Sequence, residues 1–139
     1  MKLSTKSRYA LRLMVNLTFA SKKEPVQLNE IAKREEVSEK YLSQIVIFLR
    51  GAGLIQSVRG AKGGYLLNKA PSLITVKDIV EVMEGGLNIV DCLNEDKYCQ
   101  RSEKCVTKHV WDKVSRAISQ TLEEISLEDL ASQVQGEMI

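Results

Sequence analysis

The 139-residue sequence predicts a mainly α-helical protein, in which a winged helix-turn-helix domain with a two-stranded wing precedes a long C-terminal helix. Three observations predict this fold class. Apolar residues recur at helical spacing in three consecutive segments. Two short strand-like runs, separated by a basic glycine-rich turn, follow the third segment. A longer amphipathic segment then occupies the second half of the chain.

The first two helices are predicted from their apolar spacing. The first covers residues 5–21, with an apolar stripe made of Ala10, Leu13, Met14, Leu17 and Ala20. Its other face carries Lys6, Arg8 and Arg12, which are placed to meet phosphates or simply water. Leu28, Ile31 and Ala32 mark a second helix that ends near Glu36. Val37 and Ser38 then form the turn into a third helix.

The third helix is predicted to expose a polar face. Its buried face has the i, i+3, i+4, i+7 spacing and consists of Leu42, Ile45, Val46 and Leu49. Ser38 is placed to cap its first turn, and Gly51 and Gly53 to end it. The opposite face, which can reach hydrogen-bonding edges, contains Glu39, Lys40, Tyr41, Ser43 and Gln44.

Residues 54–58 and 65–67 are predicted to form the two strands of a hairpin. The turn between them projects Arg59 and Lys62 outward. A helix of major-groove size followed by a cationic hairpin is the shape of a winged helix-turn-helix. The alternative is an ordinary helix and hairpin with a solvated basic turn.

The second half is predicted to form three more helices. Thr75 and Asp78 make a capping-box pattern that opens the first, and Gly85 and Gly86 stop it. After a polar loop over residues 87–104, a long helix runs from about Cys105 to Ile125 and carries an apolar stripe. This stripe consists of Val110, Val114, Ala117, Ile118, Leu122 and Ile125, with Trp111 beside it. Ser126 and Asp129 cap a last short helix.

A helix as long as 105–125 has no obvious partner in so small a domain. We therefore expect it to pack against its copy in a homodimer, although another partner helix is an alternative. The expected dimer contacts are Trp111, Val114, Ile118 and Leu122. The predicted organisation is a DNA-binding domain at 1–70, a linking helix with a cysteine-bearing loop at 71–104, and dimerisation and terminal helices at 105–139.

Charge divides the chain into two halves. Residues 1–69 hold 13 Lys or Arg against 5 Asp or Glu, whereas residues 70–139 hold 7 against 13. A basic first half favours a polyanion-binding module with a regulatory or assembly module behind it, and chance segregation of solvated charge is the alternative. No apolar run approaches the roughly 18 residues of a membrane helix, and the N-terminus lacks a signal-peptide core, so we expect a cytoplasmic protein without membrane contact.

All three cysteines lie close together, as Cys92, Cys99 and Cys105 in a Cys-x6-Cys-x5-Cys arrangement. Structural disulfides are improbable in the cytosol, and three is an odd number. Thiolates gathered on a loop suit an iron–sulfur cluster or zinc, although neither zinc-finger nor ferredoxin spacing matches. A helix N-terminus at Cys105 favours its thiolate. His109, four residues later, shares a helix face with it and is a fourth ligand or a surface histidine.

The segments LSTKSRYALRLM, SEKYLSQIVIFLRGAGLI and SVRGAKGGYLL, together with the cysteine triplet, resemble the IscR-type winged-helix regulators over nearly the whole chain. The resemblance implies a homodimeric transcription regulator, usually a repressor. It also implies an iron–sulfur cluster, with 2Fe–2S preferred and 4Fe–4S possible, and operators near genes of cluster assembly, sulfur metabolism or stress. The DNA contacts it implies are Ser38, Lys40, Tyr41 and Gln44 in the major groove and Arg59 in the minor groove. We expect phosphate attraction from Lys6, Arg8, Lys40, Arg59 and Lys62.

The sequence departs from this family in three places. The first gap between cysteines is one residue longer than the common spacing. Where 2Fe–2S members have a histidine, this chain has Lys108. Relatives with a 4Fe–4S cluster recruit an acid from the partner's first helix, but the equivalent region of this chain carries Arg8 and Arg12 instead. Ser43 replaces a glutamate that is found in some members and through which cluster loading changes operator choice, so that such switching is expected to differ here.

Other functions are weighed against a cluster-controlled regulator. The same thiols could form a metal-free redox switch, or a protein partner could control the repressor. An iron–sulfur electron carrier needs no basic wing, so that function is disfavoured. A single histidine and the lack of a recognisable acid–base motif argue against an enzyme.

Overall fold

The computed structural model describes residues 2–20, 24–93 and 104–133, and in these ranges it contains six α-helices and one two-stranded antiparallel sheet. The helices are α1 (Thr5–Phe19), α2 (Leu28–Glu35), α3 (Glu39–Gly51), α4 (Val76–Glu84), α5 (Lys108–Glu123) and α6 (Leu127–Gln133). The strands are β1 (Ile55–Val58) and β2 (Gly64–Leu67). Short 3-10 turns cover Pro71–Leu73 and Asp91–Leu93. The predicted mainly α-helical class with a two-stranded wing is confirmed.

Local sequence chemistry sets the helix ends. The Ser38 hydroxyl accepts a hydrogen bond from the Tyr41 N–H at 3.3 Å, which confirms the predicted cap of α3. Thr75 and Asp78 form the predicted capping box of α4, since each side chain accepts from the other residue's backbone N–H. Between α2 and α3, Glu36 adopts a left-handed conformation with φ 53°, which turns the chain into α3.

One hydrophobic core joins the two halves of the chain. The buried stripe of α3 packs with α1, and its members are those predicted, Leu42, Ile45, Val46 and Leu49. Ile74, Ile79 and Leu127, from the second half, belong to the same core. The linking helix and α6 therefore complete the packing of α1. The division at 1–70, 71–104 and 105–139 stays a prediction about the organisation of the sequence.

The wing is held to the rest of the fold by backbone pairing. Val58 pairs with Gly64 across the hairpin, and Val26 exchanges two hydrogen bonds with Tyr65, at 3.0 and 2.9 Å. A Cβ on Gly64 would lie 2.3 Å from the Val26 carbonyl oxygen, so that only glycine permits this close approach. The connection between α1 and α2 thus fixes one side of the wing.

Three predicted helix boundaries are wrong, one of them the end of the long helix, which lies at Glu123 rather than at Ile125. The first helix ends at Phe19 rather than at residue 21, because Ala20 is already extended. The long helix begins at Lys108 rather than near Cys105, because residues 104–107 form turns and the apolar stripe starts only at Val110. Within the described ranges, no helix is both long and apolar enough to cross a bilayer.

Candidate nucleic-acid interface and cysteine segment

The outward face of α3 is built from residues that its apolar stripe leaves free. Lys40, Gln44 and Ile47 are exposed and lie on neighbouring turns of this face. Ser43, between them, is half-buried, and its hydroxyl donates to the Lys40 carbonyl oxygen at 2.6 Å. Ser38 is exposed at the start of the helix. Of the five predicted DNA contacts on or next to α3, all but Tyr41 therefore lie at or beside one surface.

Tyr41, the fifth, is half-buried against α1. Its ring meets the Tyr9 ring edge to face, with centroids 5.9 Å apart. The Arg12 guanidinium lies 4.9 Å from the centroid of the same Tyr9 ring. Tyr9 thus contacts both a cation on its own helix and an aromatic ring of α3, and these contacts limit the rotation of α3 against α1.

Arg12 is itself anchored to the end of α2. Its Nε donates to the Glu35 carboxylate at 2.6 Å, and its Nη2 donates to the Glu35 carbonyl oxygen at 3.1 Å. The buried Asn16 amide donates to the other carboxylate oxygen of Glu35 at 2.8 Å. Arg12 therefore holds the helices of the helix-turn-helix together, whereas Arg8 is exposed.

The remaining predicted cations lie at the start of α1 and in the wing turn. The Lys6 ammonium lies 5.7 Å from the centroid of the Phe48 ring on α3. Arg59 and Lys62 are exposed in the wing turn. This turn is closed by a Gly63 to Gly60 backbone hydrogen bond of 3.0 Å, and the Gln27 amide donates to the Ala61 carbonyl oxygen at 3.3 Å. The start of α1, the outward face of α3 and the wing turn together form what we call the basic face.

The end of α4 is tied to the start of α1 by one carboxylate. Glu84 accepts from the Ser7 hydroxyl at 2.6 Å and from the Ser4 N–H at 2.9 Å. These hydrogen bonds, with that of Ser7 the strongest, hold the pKa of Glu84 below its ordinary value. Ser7 is fully buried, so Glu84 also satisfies a polar group in the core.

The predicted metal ligands are only partly described. Cys92 lies half-buried in the second 3-10 turn, and Cys105 lies half-buried with its Sγ 3.2 Å from Thr107 Oγ1. Cys99 lies outside the described residues. His109 is exposed in the first turn of α5. Over the ranges that the structure describes, no three His, Cys, Asp or Glu side chains are gathered as a metal site.

The start of α5 also corrects two arguments from the sequence. Cys105 precedes the helix by three residues, so that it does not share a helix face with His109. For the same reason, the first turn of α5 does not include the Cys105 thiol. The expectation that helical spacing brings these two ligands together is wrong, and any approach depends on the turns at residues 104–107.

The predicted dimer helix buries little of itself within its own chain. Ser115 is its only fully buried residue, and the Ser115 hydroxyl accepts from the Ile89 N–H at 3.1 Å. Val110 and Trp111 are 51% and 42% exposed, and Val114 is half-buried. Further along, an open groove of about 540 Å³ has apolar walls formed by Leu3, Leu87, Ile89, Ile118 and Leu122.

Sequence reasoning missed several residues of the basic face. Ile47 and Phe48 are large, exposed and apolar, and their signal was their absence from the buried stripe of α3. Tyr9 and Glu35 had no local signal, because their contacts join separate helices. Glu84 likewise meets Ser7 across 77 positions of sequence, which no short-range pattern indicates.

Comparison with known proteins agrees with this geometry. The model of a family described as Rrf2, iron-dependent transcriptional regulator, matches residues 3–133. The transcriptional regulator CymR of Bacillus subtilis is 40% identical over 137 residues, which are 99% of this chain and 94% of CymR.

Two solved structures are also similar. That of CymR, called the global cysteine regulator of B. subtilis, has a TM-score of 0.80 and 38% identity, and the match covers 97% of this chain and 99% of CymR. That of IscR from T. potens has a TM-score of 0.78 and 39% identity, and the match covers 100% of this chain and 93% of IscR. These relatives are regulators and not enzymes, and the chain belongs to the Rrf2 family of transcriptional regulators.

Proposed function

We propose that the protein is a homodimeric repressor that binds operator DNA through the basic face and is controlled by an iron–sulfur cluster on Cys92, Cys99 and Cys105. The observation that carries the DNA-binding part is the exposure of five cations at the start of α1, on α3 and in the wing turn. These are Lys6, Arg8, Lys40, Arg59 and Lys62. We place the protein in the cytoplasm, where bacterial operator DNA lies.

Two kinds of contact divide the work on DNA. The five cations attract phosphates without regard to sequence, and each phosphate contact steepens the loss of affinity with salt. Ser38, Lys40, Tyr41, Ser43 and Gln44 carry the groups that reach base edges or set the helix in the groove. Arg59, at the tip of the wing, is assigned to the minor groove.

Dimerisation is proposed through α5. Its exposed residues Val110 and Trp111 continue into the groove bordered by Ile118 and Leu122. Covering this surface with a second copy of α5 removes apolar area from water without changing the fold of either chain. A two-fold arrangement sets the two recognition helices about one turn of DNA, roughly 34 Å, apart.

The chemistry of the cysteine segment fits the cluster that the resemblance implies. Three thiolates are the ordinary ligands of an iron–sulfur cluster, and His109 is the nearest imidazole in sequence for a fourth position. When bound, the cluster supplies a redox-active charge to this segment. Cys92 and Cys105, which bracket the undescribed residues 94–103, would hold it together with Cys99.

Three hydrogen bonds join the chain around this segment to α5 and to the start of α1. Ile89, just before Cys92, is bound to Ser115 on α5. Glu84, at the end of α4, is bound to Ser4 and Ser7 at the start of α1, next to Lys6. Control of DNA binding requires that ligand binding favours one arrangement of these links over another.

A second candidate function is a repressor controlled by a thiol switch or by a protein partner, without a cluster. The similarity to CymR, which is called the global cysteine regulator of B. subtilis, favours it. Both candidates share the basic face and the α5 dimer, and they differ in what controls DNA binding.

The test is anaerobic purification of the full chain, followed by visible absorption, Mössbauer spectra and counts of iron and acid-labile sulfide. We expect iron and sulfide in the wild-type protein, loss of both in Cys105→Ser, and altered spectra in His109→Ala. Lys113→Ala, another exposed position on α5, serves as the matched control. A colourless protein after attempted reconstitution would favour the second candidate.

The regulator itself is tested separately on DNA selected from a random pool by the wild-type chain. We expect Arg59→Ala to lower affinity and to reduce the slope of log K against log salt by about one. Lys113→Ala, which removes a positive charge away from the basic face, should change neither quantity. Failure to enrich any sequence would contradict operator binding, whatever the cysteines hold.

A further inference from the structure

Ile47 occupies an unusual place for a large apolar residue. Its side chain is 67% exposed in the middle of the outward face of α3. At about 100° per residue, it points within roughly 20° of Lys40 and about 160° away from Leu49, the centre of the buried stripe. An isoleucine therefore stands beside Lys40 on the side of α3 that faces away from the core.

The other exposed apolar residue on α3 has an intramolecular role. Phe48, which is 48% exposed, supports the Lys6 ammonium from α1. Ile47 has no such function, since it lies on the far side of Lys40 from this contact and is outside the core cluster. Its exposure therefore needs another explanation than support of a neighbouring cation.

The position of Ile47 along the helix keeps it near the base edges. It follows Lys40 by seven residues, or about 10 Å of helix axis, which corresponds to about three base-pair rises. Ser43 and Gln44, the residues one turn before it, are already assigned to the same groove. Ile47 thus extends the line of contact set by these polar residues.

We propose that Ile47 reads a thymine by packing against its C5-methyl group, an inference that rests on the proposed operator binding. The thymine methyl is the one apolar group that base pairs display in the major groove. An aliphatic side chain cannot pair with the polar edges and gains only from contact with this methyl. Ile47 therefore selects thymine at one position of each half-site.

The test uses operators that the full-length wild-type protein enriches from a random DNA pool. Each thymine is replaced in turn by deoxyuridine, which removes only the methyl group. At one position per half-site, we expect wild-type affinity to fall about three- to tenfold, the effect of losing contact with one methyl-sized group. Ile47→Ser should bind the thymine and deoxyuridine duplexes equally at that position and keep its preferences elsewhere.

Leu73→Ser is the matched control, because Leu73 is 68% exposed and lies outside α3. It should retain the full thymine preference. Wild-type protein that tolerates every deoxyuridine substitution, or an Ile47→Ser variant that keeps the same preference, would overturn the inference while leaving the regulator intact. A pool from which no sequence is enriched would overturn both the inference and the proposed operator binding.

Discussion

The recognition helix α3 and the proposed dimer helix α5 use their apolar residues in opposite ways. In α3, the four residues of the apolar stripe are at most 3% exposed, because α1 and its neighbours cover them within the same chain. In α5, Val110 is 51% exposed and Trp111 is 42% exposed. The difference teaches that the apolar stripe of α3 is covered within the same chain, by α1 and by residues of the second half, whereas that of α5 stays largely open to solvent.

The same contrast holds for polar contacts. Around α1 and α2, the carboxylate of Glu35 binds both the Arg12 guanidinium and the Asn16 amide. The cysteine segment is joined to α5 by the hydrogen bond from Ile89 to Ser115. The part of the chain from α1 to the wing, which we call the reading head, is thus held together by its own side-chain hydrogen bonds, so that a change in the cysteine segment need not unfold it.

The largest expected effect tests whether α6 belongs to the reading head. Leu127 comes after α5 in sequence but is fully buried in the common core. Leu127→Ala should lower the free energy of unfolding by about 2–5 kcal/mol, since it removes buried methyl groups and leaves a cavity. Urea denaturation followed by circular dichroism measures this change.

Leu73→Ala makes the same chemical change at a residue that is 68% exposed. Its effect should stay within about 0.5 kcal/mol. If Leu127→Ala were equally mild, α6 would not be part of the cooperative core. The division of the sequence at residue 105 would then also be a division in stability.

Most of the reading head was predictable because its signals are local. The stripe of α3, the cap at Ser38 and the glycine turn of the wing each lie within a few residues of sequence. The start of α5 was not predictable, because the cysteine segment has no apolar periodicity from which to locate a helix boundary. The argument from Cys105 to His109 failed for that reason.

Part of the candidate site depends on contacts between distant segments. The cations of the basic face and the polar face of α3 were found from residue type and helical spacing. The edge-to-face contact of Tyr9 with Tyr41 and the hydrogen bond of Glu84 with Ser7 depend on how α1 packs on α3 and α4. Such pairings follow from tertiary packing and leave no mark within a short window of sequence.

A second prediction compares two glycines of the reading head. A Cβ on Gly63 would lie 2.1 Å from the Val58 carbonyl oxygen, whereas one on Gly51 meets nothing within 4 Å. Gly63→Ala should cost about 1–3 kcal/mol of stability and weaken operator binding, because the wing must distort. Gly51→Ala, in the last turn of α3, should stabilise the helix by about 0.5–1 kcal/mol.

Thermal or urea unfolding measures both glycine variants, and binding to the selected operator reports on the wing. Equal stabilities for the two variants would show that the wing turn relaxes without cost. A stable Gly63→Ala variant with weakened binding would instead confine the distortion to the basic turn. Together, the unfolding and binding measurements show whether the wing turn resists distortion independently of the core.

The third prediction concerns α5. Val110→Asp places a charge on a surface that dimerisation would remove from water, so the dimer dissociation constant should rise at least about tenfold. Analytical ultracentrifugation measures the dissociation constant. Lys113→Asp, which also places a negative charge at an exposed α5 position, is the control and should have a smaller effect.

Monomer stability should be nearly unchanged in Val110→Asp, in contrast to Leu127→Ala, because Val110 is not part of the core. An undiminished dimer would contradict the assignment of Val110 to the interface. In that case, the groove bordered by Ile118 and Leu122 would be the next surface to test by the same measurement.

The smallest expected effect concerns the hydrogen bonds by which Glu84 joins the end of α4 to the start of α1. Because Ser7 and Ser4 hold the pKa of Glu84 below its ordinary value in the folded chain, the ionised carboxylate stabilises the fold. This stabilisation is present above the unfolded pKa of about 4.3 and is lost as the pH falls through the lower folded value. Glu84 is exposed, so that solvent screening keeps the effect below about 1 kcal/mol.

Glu84→Gln keeps the shape of the side chain but removes its charge. Wild-type protein should be slightly more stable than this variant at pH 7, and the difference should shrink toward zero below pH 4, as measured by urea unfolding at each pH. Glu81→Gln, one turn earlier on α4, controls for loss of a negative charge from the same helix. A difference that stays constant over this pH range would mean that the shape of Glu84, and not its charge, joins α4 to α1.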